Sequence, residues 1–278
     1  MEVNFLINDY NLIWNILFQA SINDKVHLLK QKMWNNYKDT YSKTYKDNAL
    51  ILADYKNFIP NDDTIYNMMM DNELYLNIKK RTEKYRLELL KLWNEHKKGI
   101  NNILDNVLRI KLEDVNVLVV DPRLDNFDLT AIRNNINTIT WSKPINKDDK
   151  IKSLSILLYC IASKLVLKYK KEDQFIARAV IELAIVNELP TRMSNRSYYL
   201  TGSSELQQLK RQIYPYFLMY LGVRKEHMME YMRRDKIAFD VNKYTEERKL
   251  SKVDIDRFIK FCISNQKYIM KMQMLENI

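Results

Sequence analysis

Glycine is almost missing from this chain of 278 residues: there are three, Gly99, Gly202 and Gly222, beside only five prolines. Left-handed backbone positions and tight hairpin turns must therefore be few, which excludes a hairpin-rich β fold and points to helices. Three isolated glycines also leave no Gly-rich phosphate loop. Cysteine is equally scarce. Cys160 and Cys262, each among apolar neighbours, make no disulfide framework and read as buried free thiols of a reducing compartment. No uninterrupted apolar run of about 18 residues exists, and Glu2 and Asp9 stand where a signal peptide would be basic, so the expectation is a cytoplasmic protein without a membrane span. Blocks of like charge, internal repeats and low-complexity segments are absent as well.

What is present is a hydrophobic content of 46%, enough for a substantial core, and a formal charge of +10. Acidic residues are mixed among the basic ones. The balance admits an anionic partner and equally describes a lysine-rich solvated surface.

Apolar spacing predicts helices over 3–18, near 24–45, and over 64–110 with an interruption near Gly99. In RTEKYRLELLKLWNEHKK, Tyr85, Leu89, Leu92 and Trp93 share one face. The pattern changes at VNVLVVDP, from residue 115, and at NTITW, 137–141, which read as the two strands. A helix over 147–170 follows, opened by Asp148 and Asp149, then another from Asp173 to Leu189 closed by Pro190. TGSSELQQLKRQIYPYFLMYLG reads as a serine-capped helix with a kink at Pro215 and a stop at Gly222. Helices near 224–236 and 252–274 complete the chain. The fold class is mainly α (α+β): a helical N-terminal part, 1–112, and a part with a small sheet, 113–278.

The order strand, strand, long helix, short turn, second helix carries a resemblance. Within it, LLYCIAS places Tyr159 and Ser163 four residues apart, on one helix face, with Cys160 next to the first. Glu182 lies 19 residues beyond Ser163, and Glu188 a little further. Over roughly residues 113–220 this layout resembles the zincin metallopeptidases of the glutamate-zincin branch, whose helix carries HExxH and whose next helix supplies a third zinc ligand. The resemblance puts Tyr159 and Ser163 at the two histidine positions and Cys160 at the catalytic glutamate. A phenol and a serine hydroxyl are poor zinc ligands, and His27, His96 and His227 lie far from this helix pair in sequence. It therefore implies a protein without catalytic residues, metal or cofactor, binding a peptide or protein partner through a residual cleft of Tyr159, Cys160, Ser163, Glu182, Glu188 and Tyr198. The same residues also suit ordinary packing: Glu182 can pair with Arg178 and Glu188 with Arg192 on the helix surface.

A competing reading rests on RKEHMMEYMRRDK, 224–236, where Arg224, Arg233, Arg234 and Lys236 could bind anions and Tyr231 is interleaved; it makes the chain a nucleic-acid-associated helical protein. A third reading is a purely structural interaction module.

Overall fold

The computed structural model describes residues 1–19, 25–32, 34–35, 39, 64–124, 137–194, 196–234 and 250–271. The architecture is mainly helical with one small parallel sheet. It divides into two compact units: residues 1–95 with 113–148, and residues 96–112 with 149–278. The division is not a single cut at residue 112, because strands from either side of that point pair with each other.

In the first unit, strand β1 (Val3–Leu6) pairs in parallel with β2 (Val115–Val119), and β2 in parallel with β3 (Thr138–Trp141). Phe5 stands opposite Val117, and Val117 opposite Ile139. β2 and β3 are the two expected strands, buried almost throughout as parallel strands usually are. β1 corrects the expected helix over 3–18. Val3 and Phe5 are buried and Asn4 is exposed, the alternation of a strand, and Asn8 then breaks the run. Asn8 is extended, with φ −119°, and its side chain accepts from the Asn11 N–H, so helix α1 (Asp9–Trp14) begins only after it.

A π turn, Asn15–Gln19, extends α1; α2 (Thr64–Met70) and α3 (Glu73–Asn102) follow, and residues 25–32 are also helical. The remainder of the expected 24–45 helix lies mostly outside the described residues. Leu12, Ile13, Trp14, Ile16, Tyr75 and Ile78 pack in one cluster with Val120 and Leu124. Tyr85, Leu89, Leu92 and Trp93 of α3 are buried as their spacing predicts. The Tyr85 hydroxyl donates to the Lys143 carbonyl and accepts from Trp141 Nε1 at 3.0 Å, fixing the end of β3. Gly99 does not interrupt α3. A lone glycine inside a helix costs only about 1 kcal/mol, and the helix runs past it into a second π turn, Ile103–Val107.

In the second unit, Asp149 caps α4 (Lys150–Ala162) by accepting from the Lys152 N–H at 3.0 Å. α4 ends in a 3-10 turn, Ser163–Leu165, short of the expected residue 170. Next, α5 (Gln174–Glu182), a π turn (Leu183–Glu188) and α6 (Leu189–Met193) form one continuous helical path. Pro190 therefore does not close the helix: it stands in α6, directly after the π segment, and the helical path continues through it to Met193. α7 (Gln207–Tyr220) carries Pro215 inside it. Gly222, at φ +79°, ends α7 with Gly222 N–H on Met219 O and Val223 N–H on Leu218 O, the two bonds of a left-handed C-cap. α8 (Lys225–Arg234), α9 (Ile255–Ser264) and α10 (Gln266–Lys271) follow. Leu157, Leu158, Ile161, Val180, Ile181, Phe217 and Phe258 are among the residues buried in this unit. No helix among the described residues is long and apolar enough to cross a membrane.

Candidate functional site

Two places in the second unit gather polar side chains. The first is the helix pair singled out by sequence, α4 with α5. Glu182 is buried, and so is Lys210 of α7. Lys210 Nζ lies 2.5 Å from Glu182 Oε1, 2.8 Å from the Thr201 carbonyl and 3.4 Å from Asn187 Oδ1. Ser203 completes the carboxylate's shell, its N–H on Oε1 at 2.9 Å and its hydroxyl on Oε2 at 2.7 Å. Asn187, in the π turn, donates to the carbonyls of Tyr198 and Thr201. The segment 198–203 is thus tied down. Leu200 and Gly202 in it take left-handed backbones, and a Cβ at Gly202 would overlap Glu182 Oε1.

Burial lowers the Lys210 pKa, while the charge and hydrogen bond of Glu182 oppose that shift. Tyr159 lies within electrostatic reach of Glu182; burial first, then that carboxylate, raises its pKa, against a hydrogen bond from Arg178. Glu182 does not pair with Arg178, as its spacing allows, because Arg178 reaches Glu205 at 2.6 Å. Ser163 donates to the Cys160 carbonyl at 2.7 Å, and Cys160 and Tyr198 are buried. Glu188 pairs with Arg192 at 2.6 Å. These residues do not fit zinc: the Glu182 oxygens are already bound, and no group of three His, Cys, Asp or Glu suited to a metal exists among the described residues. Cys262 is also buried, which pushes its thiol up.

At the basic helix, carboxylates lie among the described cations. Arg224 is exposed and lines a shallow cavity of about 560 Å³ with Arg192, His227, Glu230 and Tyr231. Glu230 and the Arg192 partner Glu188 offset its cations. Arg233 is exposed; the Arg234 side chain and Lys236 lie outside what the structure describes.

The second place was not legible in the sequence. A cavity of about 490 Å³ has Leu165, Ile255 and Ile259 as its apolar residues and a rim of Arg109, Lys111, Lys168, Asp105, Asp254 and Asp256. Arg109 follows the π turn that ends α3 and holds φ +47°, a left-handed backbone that costs a side-chain-bearing residue about 1–2 kcal/mol. Three contacts hold it there. Nε donates to the Val253 carbonyl at 2.6 Å, Nη2 donates to the Tyr220 carbonyl at 2.5 Å, and the guanidinium sits 4.2 Å from the Tyr220 ring centre. The Tyr220 hydroxyl in turn donates to the Leu108 carbonyl. Among the described residues no carboxylate pairs with Arg109.

The carboxylates opposite are mostly committed. Asp254 caps α9 by accepting from the Arg257 N–H. Asp256 accepts from Lys168, Lys260 and Tyr169. Partial desolvation alone would raise its pKa; the three donors outweigh it and hold the carboxyl well below the usual range. The only sequence signal of this site is weak, since nothing marks an arginine at a position where glycine is usual.

Compared with protein families, curated proteins and solved structures, the chain matches none.

Proposed function

We propose that the chain is a non-catalytic binding protein that takes a peptide, or the exposed end of a protein partner, in the cavity beside Arg109. One observation carries the reading: an apolar-sided cavity of about 490 Å³, rimmed by fixed charges, lies within the size range of ligand sites. A left-handed arginine braced by an aromatic ring and two carbonyls adds to it, because backbone strain persists where the surroundings enforce it. The metallopeptidase-like layout is part of the same proposal. In it the Lys210 ammonium, facing Glu182, Asn187 and Thr201 oxygens, takes a cation's place between the helices, so the old catalytic region serves as a scaffold and the binding cleft lies elsewhere.

The test is a panel of N-acetylated tripeptides with varied last residues, read by calorimetry on the whole chain. Peptides with aliphatic ends are expected to bind, and Leu165→Asp, which charges a half-buried wall residue, to abolish binding without lowering the melting temperature by more than a few degrees. Binding that survives Leu165→Asp unchanged contradicts the assignment.

A further inference from the structure

Resting on that reading, the geometry points to the ligand's chemistry: we infer that the Arg109 cavity takes the free C-terminal carboxylate of a peptide whose last side chain is aliphatic. The inference comes from which rim charges are already spent. Asp256 is neutralised by Lys168 and Lys260 and hydrogen-bonded by Tyr169, and Asp254 is engaged with the first turn of α9. The Arg109 guanidinium donates only to neutral carbonyls and rests on the Tyr220 ring, without an ion pair among the described residues, and its Nη1 makes no hydrogen bond to them. Lys111 is exposed and has no ion pair among them. Asp105 is exposed and likewise without an ion pair among them, and the helix-capping Asp254 has none either. Two cations without an ion pair, Arg109 and Lys111, therefore face two carboxylates without one, of which the helix-capping Asp254 is held by the first turn of α9 and only Asp105 makes no hydrogen bond to the described residues. An incoming carboxylate is matched by Arg109 and Lys111, and Asp105 is left to accept a peptide N–H.

The apolar side fixes the rest. Leu165, Ile255 and Ile259 line the same small cavity as the cations. Only at a chain end do a carboxylate and a side chain leave the same carbon atom, so that both enter one compact site. An internal aspartate or glutamate must bring two backbone connections past the rim, where a chain end brings one. A guanidinium whose Nε and Nη2 are fixed is also pre-oriented, so its remaining donors meet a carboxylate with little loss of side-chain freedom.

The probes are N-acetyl-Ala-Leu-Leu as free acid, its C-terminal amide, and N-acetyl-Ala-Glu-Leu-amide, titrated calorimetrically into the whole chain at two salt concentrations. The free acid is expected to bind roughly tenfold tighter than the amide, the scale of one charge-assisted hydrogen bond. Lys111→Gln is expected to weaken the acid severalfold and flatten its salt dependence while leaving the amide unchanged. Arg109→Gln should erase the acid's preference; because Arg109 also braces Tyr220 and Val253, the exposed Lys111 variant keeps the test independent of folding. Equal binding of acid and amide overturns the carboxylate inference while leaving the cavity as a peptide site. Preference for the internal glutamate overturns the chain-end assignment. If no peptide binds, both this inference and the proposed function fail.

Discussion

Gly202 is the residue at which backbone and buried charge meet. Its φ of +115° suits glycine alone, and a Cβ there would overlap the carboxylate that Lys210 and Ser203 hold. Gly202→Ala is expected to destabilise the protein by roughly 2–4 kcal/mol, strain plus displacement of Glu182, measured as a lower urea midpoint with unchanged slope. Asp256 gives a second residue-scale prediction through pH. Its folded pKa lies below the unfolded value of about 3.9, so its contribution is full above that value and is lost as pH falls through the folded pKa. Asp256→Asn should lower stability at neutral pH and flatten the loss of stability below about pH 4; a variant with an unchanged acid limb would contradict the Lys168, Lys260 and Tyr169 assignment. Arg109 belongs to this scale also, as an arginine where the chain turns left-handed with no glycine to announce it.

Elements show which of these features the sequence made readable. β2 and β3 were legible because each is a β-branched run closed by a turn, and the Gly222 stop because only glycine suits its backbone. Asp149 was legible as a helix start, and its cap yields a prediction: Asp149→Ala should cost about 1 kcal/mol, read as a shifted urea midpoint, since the Lys152 N–H loses its acceptor. β1 was hidden because Val3–Leu6 runs into α1 with only Ile7 and Asn8 between, so four alternating residues looked like part of a helical run. Pro190 misled because a proline beside a π turn ends no helix. Glu182 was noticed for its spacing from Ser163, but Lys210 was not. A buried ion pair joins residues far apart in the chain, and no local pattern encodes it.

At the scale of the whole molecule, the charge of +10 is the balance of 45 basic and 35 acidic residues, and the cavity at Arg224 mixes both signs. Duplex DNA of random sequence should therefore bind weakly, on the order of 10⁻⁴ to 10⁻⁶ M at physiological salt. In a gel-shift titration, nanomolar binding lost on Arg224→Gln with Arg233→Gln would favour nucleic acid as the partner. The second unit holds both the buried Glu182–Lys210 network and the Arg109 cavity, and the account assigns scaffolding to the first and binding to the second. The most direct measurement is a nitrogen-15 amide spectrum of the whole chain titrated with N-acetyl-Ala-Leu-Leu free acid. The account predicts saturable shifts clustered at Arg109, Lys111, Leu165, Ile255 and Ile259, with Tyr159, Glu182 and Ser203 unmoved. Shifts centred on Tyr159 and Glu182, or none at any residue around Arg109, would contradict it.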